Sequence, residues 1–374
     1  MEYKVVIGAS YGDEGKGQLT NYFTRKAKGK VLNVLHNGGC QRGHTVVHAG
    51  KRHVFHCFGS GSNSGAHTYW HKAFLVDPIA IMTEMDGLGY CPKIYVHREA
   101  RIVTPYDCLF NQQTEKDRKD KKHGSCGMGI FATITRDALL PLRIKHLEDE
   151  FWVYEQVMRI RQYYQEKACE DFLISIDQFF NCIHLLKQCI EVVDDMPTGY
   201  DTVIYEAGQG LRLDQDNRID FPHLTPSATG SSVIADEILS RVTENDTVEV
   251  CYVTRPYLTR HGAGPFENEC EPEKINKHIC DVTNFANMWQ GSLRFARIDL
   301  PKFKEYIVKD MYFWHECPSA NFSLALTISD LNNGHLYTGT GDVLFSDVFA
   351  SLKHYEIPDE DDATWGALEE PAAD

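Results

Sequence analysis

A chain of 374 residues with 43% hydrophobic and 24% charged content can build a sizeable core, as one large domain or two medium ones. Its formal net charge of −15 speaks against nucleic acid or an anionic membrane as a partner, since either needs a basic face to displace counterions; a single nucleotide needs only a lysine and a ring of backbone amides. No run approaches the roughly 20 apolar residues of a membrane span, Met1-Glu2-Tyr3-Lys4 leads straight into strand-like sequence, and the twelve cysteines contain no Cys-x-x-Cys pair, so a cytoplasmic protein with reduced, structural thiols is expected.

Residues 3–7 are short, apolar and β-branched, with glycine directly after them, and read as a buried strand feeding a phosphate loop. Similar runs at 31–35, 94–96, 202–205, 248–253 and 324–328 are separated by longer stretches with helical spacing. This alternation predicts an α/β fold with a mainly parallel sheet flanked by helices. The clearest helical periodicity covers 148–169 and 176–193, which should pack on one side of the sheet. The charge run 115–122 reads as a solvated loop, and its junction with glycine-rich 124–130 suggests a mobile segment that closes over a ligand. Residues 1–353 are expected to form a single domain. The stretch 354–374 holds eight acidic residues and no Lys or Arg, which predicts a disordered or loosely docked tail.

Two turns carry the chemistry. Gly8-Ala-Ser-Tyr-Gly-Asp-Glu-Gly-Lys-Gly-Gln18 lies between the first strand and an amphipathic start, where glycines turn amides toward a phosphate and Lys16 adds a full charge. It departs from a standard P-loop, because Gly17 stands where a Ser or Thr should hold Mg²⁺ and Asp13 sits inside the loop. A carboxylate beside a phosphate is costly unless it binds metal or accepts a proton, so Asp13 is a candidate for both; the plain alternative is a tight turn with a surface acid. Asn37-Gly-Gly-Cys-Gln-Arg-Gly-His-Thr45 again follows a strand. Alone it would suggest a solvated histidine, but two such turns at adjacent strand ends converge on one crevice.

Tyr-Gly-Asp-Glu-Gly-Lys-Gly at 11–17, Gly-His-Thr-Val-Val at 43–47, Glu-Ala-Gly-Gln-Gly-x-x-Leu-Asp at 206–214 and Thr-Arg-His-Gly-Ala-Gly-Pro-Phe at 259–266 resemble, in the same order, the adenylosuccinate synthetase family. The resemblance implies a ligase that joins aspartate to a purine nucleotide in two steps: phosphorylation of O6, then displacement of phosphate by the aspartate amine. It implies that Asp13 is the N1 base and a Mg²⁺ ligand, with the Gly43 carbonyl a second ligand, and that His44 stabilises the phosphoryl in transfer. Lys16 joins these two as a catalytic group. Donor contacts are implied for Gly12, Glu14, Gly15, Lys16, Gly17 and Gln18, for Gly43, His44 and Thr45, and for Arg294, Asp330 and Gly341. The monophosphate would meet Asp13, Asn37, Gln41, Ser125, Cys126, Gln209, Thr225 and Gly291, and aspartate would meet Ser292 and Arg294. The family forms homodimers in which an arginine crosses to the partner's nucleotide, and Arg136 is the candidate here.

The chain leaves the family pattern at substrate-reading positions. Gln41-Arg42-Gly43-His44 replaces Asn-Ala-Gly-His, Gly124-Ser125-Cys126 replaces Gly-Thr-Thr, and Met288-Trp-Gln-Gly-Ser-Leu-Arg294 replaces an arginine-rich loop. The arginine that reaches the ribose hydroxyl falls at about Gly291 or Ser292, which suits a 2′-deoxy sugar. Thr327-Ile-Ser-Asp330 lacks the lysine of the guanine-reading Thr-Lys-x-Asp, which makes an adenine donor plausible. These departures and the compact length resemble the phage branch that makes N6-succino-2-amino-2′-deoxyadenylate from dGMP and aspartate. Asp13 is retained where some phage members carry a small residue; its carboxylate can accept a hydrogen bond from a 2-amino group. The expected activity is therefore a dGMP-directed ligase driven by ATP or dATP. An ordinary synthetase using IMP and GTP is the alternative, and a non-catalytic nucleotide-binding module is a third reading.

Overall fold

The computed structural model describes residues 1–48, 50–168, 171–279 and 289–358. Nine strands form the main sheet: β1 (Glu2–Gly8), β2 (Val31–Leu35), β3 (His67–Trp70), β4 (Ile94–His97), β5 (Ile190–Val193), β6 (Thr202–Gly210), β7 (Thr247–Thr254), β8 (Ala320–Thr327) and β9 (Lys353–Ile357). Their order is β9-β8-β7-β1-β6-β2-β3-β4-β5, and every pairing is parallel. All carboxyl ends therefore share one edge. From β1 the chain proceeds outward through β2 to β5 on one side and through β7 to β9 on the other. Such a switch point is where open α/β sheets bind ligands.

Among the described residues, eight α-helices cover the faces: α1 (Lys16–Lys26), α2 (Pro78–Leu88), α3 (Pro105–Asp117), α4 (Ile130–Asp137), α5 (Glu150–Ala168), α6 (Asp177–Cys189), α7 (Ala235–Leu239) and α8 (Leu300–Met311). Residue chemistry fixes several starts. Asp77 caps α2 and Asp299 caps α8, while Thr104 and Asp107 form a reciprocal capping box on α3. The two-residue period of β1 sends Val5 and Ile7 into a core with Tyr205, Tyr252 and Ile307, and Val6 into a second core with Leu19 and Phe23 of α1. Each such side chain, fully buried, contributes about 1.5–3 kcal/mol. Beyond β2 a third core joins Trp70, Ile94 and Val96 to Val157 and Ile160 of α5 and to Ile183 and Leu186 of α6.

The α/β class and parallel sheet are as expected, with four differences in detail. The segment 176–193 divides: α6 ends at Cys189, and the β-branched Ile190-Glu-Val-Val193 pairs with β4 as an edge strand. The docked chain outlasts the expected start of the tail, because β9 pairs with β8 and the Tyr355 hydroxyl donates to Glu249 at 2.7 Å; the rest of that acidic stretch, from 359, lies outside the described residues. The charge run begins in a helix rather than a loop, since α3 continues to Asp117 and buried Glu115 accepts from the His123 and Gly124 amides at 3.1 and 3.2 Å, while Lys116, Asp117, Lys119 and Lys121 are exposed as expected. Strand β8 stops one residue short, at Thr327. No described helix is long and apolar enough to cross a membrane. All ten described cysteines are free thiols.

Candidate active site

The loop after β1 is wound around its own carboxylate. Glu14 is 4% exposed and accepts from the Ser10 amide at 3.0 Å and the Gly12 amide at 2.7 Å, while the Lys16 ammonium donates to it at 3.0 Å and to the Gly12 carbonyl at 2.6 Å. Burial alone would raise the Glu14 carboxyl, but the Lys16 charge and the Gly12 amide outweigh it and hold it below its ordinary value. The Gly12 amide and Lys16, expected to meet donor phosphates, are thus engaged within the loop. Gly15, at φ 90°, caps α1. A Cβ there would lie 2.7 Å from Thr327 Cγ2, and the Thr327 hydroxyl donates to the Glu14 carbonyl at 2.6 Å, so the end of β8 sits directly on the loop.

Gly17 is explained by contact. A Cβ there would stand 2.8 Å from the Cβ of His44, which bridges the first two motifs. Buried His44 shares a short hydrogen bond through Nδ1 with Glu206 of β6, itself fully buried and accepting from the Ser60 amide at 3.0 Å and from the Ser60 hydroxyl. Burial pushes the imidazole down to about 4, against the opposing pull of Glu206. Glu206 in turn is held below the usual carboxylate range, because the hydrogen bond from His44, the Arg42 charge and the Ser60 hydroxyl outweigh its burial. His44 is therefore assigned as a neutral imidazole with its proton on Nδ1, and Nε2, buried without a hydrogen-bond partner, keeps its lone pair. Gln18 reaches across from α1, its side-chain oxygen accepting from the Val47 amide at 3.3 Å beyond Thr45.

Asp13 stands on the more open side. Its Oδ2 is buried without a hydrogen-bond partner and lies 3.4 Å from Nε2 of His261 in the loop beyond β7. Gly12 backs onto Gln209, where an added Cβ would lie 3.2 Å from Oε1. The glycine-rich segment meets the loop that carries His261: a Cβ on Gly124 would stand 2.5 Å from the Ala263 nitrogen, and one on Gly262 would stand 2.7 Å from the Gly124 carbonyl. Ser125 accepts from the Asn111 side chain at 2.8 Å beside half-buried Cys126, and the Gln112 side chain donates to the Gly127 carbonyl at 3.1 Å. Helix α3 thus contacts the glycine-rich segment through Asn111 and Gln112.

Other anticipated contacts are largely committed to the fold. Asn37 donates to the Ala228 carbonyl at 2.8 Å and accepts from the Gly208 amide at 2.7 Å. Arg42 is buried against the carbonyls of Asn37 and Glu206 at 2.6 and 3.2 Å, leaving Gln41 beside Gly38 with a buried, unpartnered Oε1. The Thr225 amide closes onto Leu213, and Arg294 grips Glu269 through two nitrogens and the carbonyls of Gly262 and Gly264 at 3.1 and 2.9 Å. Gly43, Gly291, Ser292 and Gly341 are exposed. Asp330 lies in the turn Ser329–Asn332, entered through Ile328 at φ 48° and ψ 44°, a left-handed conformation unusual for a β-branched residue. Met288 lies outside the described residues.

Arg136 requires a correction. It is fully buried, donates to both oxygens of Asp107 at 3.1 Å and to the Leu140 carbonyl at 2.9 Å, and cannot reach a neighbouring subunit. The sequence placed Glu206 only inside a motif and gave His261 no role. Their partners lie far away along the chain, and no local pattern announces such pairings.

Five strand ends, a loop shaped around an anion, a histidine stripped to its neutral form and a carboxylate with an unpartnered oxygen define a nucleotide-handling α/β enzyme. The sequence model of the adenylosuccinate synthetase family matches residues 5–299, and the chain belongs to that family of C–N bond-forming ligases in purine nucleotide synthesis. The adenylosuccinate synthetase of Halothermothrix orenii is 30% identical over 304 residues, covering 75% of this chain and 67% of that protein. The Staphylococcus epidermidis relative of the same name is 26% identical, covering 75% and 68%. The chain thus spans about two thirds of the length of these relatives. Fully ligated adenylosuccinate synthetase from Plasmodium falciparum shares the fold at a TM-score of 0.68 and 19% identity, covering 89% of this chain and 78% of that one. Cyanophage S-2L succinoaminodeoxyadenylate synthetase, bound to dGMP and to dATP as an energy donor, does so at 0.63 and 15%, covering 95% and 91%.

Proposed function

We propose that the protein joins L-aspartate to the 6-position of dGMP, driven by ATP or dATP, through a 6-phosphoryl intermediate that yields N6-succino-2-amino-2′-deoxyadenylate. The observation that carries this reading is Gly291. It is exposed at φ 74°, where a non-glycine residue is strained, and an added Cβ would meet nothing within 4 Å. No arginine reads a ribose 2′-hydroxyl from that position. Ile328 in place of a lysine, and near-complete mutual coverage with the cyanophage enzyme, support it.

In this reading Asp13 takes the proton from N1 of the purine, and O6 attacks the donor's terminal phosphoryl group. The aspartate amine then adds at C6 and phosphate departs. An anionic phosphoryl arriving at Nε2 of His44 raises the imidazole's affinity for a proton, while Glu206 holds the ring in place. Mg²⁺ fits: the Asp13 carboxylate, whose Oδ2 has lone pairs to spare for both a metal and a side-chain donor, and the carbonyl of exposed Gly43 are hard oxygen donors, and the ion would neutralise charge on the donor phosphates. No cluster of three or more potential ligating side chains occurs among the described residues, consistent with an ion completed by phosphate oxygens and water. A homodimer in the cytoplasm remains part of the proposal, with a crossing residue other than Arg136.

The second reading, an adenylosuccinate synthetase using IMP and GTP, is favoured by the 26–30% identity to relatives of that name. Calorimetric titration of the free protein separates the two. The first predicts dGMP binding at least about tenfold tighter than IMP, a difference of about 1.4 kcal/mol; equal or reversed affinities argue for the second.

A further inference from the structure

We infer that His261 is the positioning residue for Asp13: its Nε2–H holds Oδ2 of the carboxylate, leaving Oδ1 to take the purine proton. The inference rests on Asp13 acting as the base in the proposed reaction. Asp13 sits between Gly12 and Gly15, whose backbone the loop's own hydrogen bonds fix, but those bonds go to Glu14 and Lys16 and none of them orients the Asp13 carboxylate. The carboxylate is 18% exposed overall, yet Oδ2 is buried and without a hydrogen-bond partner, so its exposure falls on the rest of the group. At 3.4 Å from Nε2, it is a small rotation from a full hydrogen bond, a gap that catalytic pairs commonly close when substrate arrives.

His261 is itself held from both sides. Arg260, 1% exposed, donates to the carbonyls of Pro265 at 2.6 Å and His223 at 3.1 Å, and its guanidinium lies 4.7 Å from the ring centre of Tyr11 in the Asp13 loop. On the other side Arg294 donates to the Gly262 carbonyl at 3.1 Å, and Gly262, at φ 73°, packs on Gly124. The short ribbon Leu258–Arg260, paired antiparallel with Arg294–Ala296, ends one residue before the histidine. The side chain is therefore presented to Asp13 from a backbone with little freedom. The arrangement mirrors Glu206 beneath His44: in each case a group from a distant loop orients the reacting side chain, as outer-shell partners do at other active sites.

Two variants test the assignment. His261→Val removes the donor while keeping a compact side chain, and His261→Gln restores an N–H. With whichever monophosphate and donor the wild type turns over, His261→Val should lower kcat about ten- to a hundredfold with KM values and melting temperature little changed, and His261→Gln should recover most of the loss. Crystal structures of the ligand-free proteins give a readout independent of turnover. Asp13 should occupy one conformer in wild type and His261→Gln and several in His261→Val. Wild-type turnover by His261→Val, or a single unchanged Asp13 conformer in it, overturns the assignment. Wild type inactive with every substrate pair would instead refute the proposed reaction, and the crystallographic comparison would still decide the role of His261.

Discussion

His44 and Asp13 flank the same glycine loop, but the fold holds them very differently. His44 is 5% exposed, pressed on Gly17 and braced by Glu206, which is braced in turn by Ser60. Asp13 is partly open, with His261 Nε2 3.4 Å from its Oδ2. The buried side couples chemistry to stability, whereas the open side can change its contacts at little cost to the fold.

Substitutions should break this contrast into separate effects. Asp13→Ala should reduce turnover on the order of 10² to 10⁴-fold, measured by phosphate release, while denaturant unfolding changes by no more than about 0.5 kcal/mol. Glu206→Ala should do more to the fold: it leaves the buried His44 and Ser60 donors without their acceptor, at a cost of about 1–3 kcal/mol in urea unfolding. An Asp13 variant that unfolds as readily as the Glu206 variant would erase the distinction.

Acid probes the buried side without mutation. Burial holds His44 at about 4 against an ordinary 6.5, and His36, fully buried with neither ring nitrogen partnered, at about 3. Between those values and 6.5 the unfolded chain binds protons that the folded chain refuses, so stability declines as pH falls from 6.5 and levels off once it passes the folded values. Melting temperatures across pH 3–7 should show that slope, and Asp13→Ala should leave it unaltered. The smallest effect belongs to the donor side. Ile328→Gly relieves a left-handed position but removes a half-buried side chain packed on Tyr257 and Tyr337, so denaturant unfolding should shift by no more than about 1 kcal/mol, at the turn where the donor base is proposed to lie.

Local chemistry was legible in the sequence and distant pairing was not. Gly12, Asp13, Gly15, Lys16 and Gly17 declare a ligand loop because their conformational and charge properties combine within a few residues. That Glu14 occupies the loop's own amides was hidden, since a carboxylate there reads equally well as a ligand group. The His44 and Glu206 pair joins residues 162 apart, and only the parallel register of β6 beside β1 and β2 brings them together. Strand β3, His67-Thr-Tyr-Trp70, and strand β9, Lys353-His-Tyr-Glu-Ile357, lack the continuous apolar run that marked their neighbours. Thr68, Tyr69, Trp70, Tyr355 and Ile357 favour strands, but with polar residues between them they need the neighbouring strand to fix the pairing. Arg136 shows the converse: a charged residue in a helical pattern reads as surface until Asp107 is seen to bury it.

The proposed reaction places dGMP on the open side of the glycine loop. Purified protein incubated with aspartate, Mg²⁺ and each pairing of dGMP or IMP with ATP, dATP or GTP, followed by phosphate release and product mass, tests this directly. The account predicts aspartate-dependent phosphate release and a succino-adduct of the deoxynucleotide with dGMP and an adenine donor; turnover with IMP and GTP and none with dGMP would contradict it.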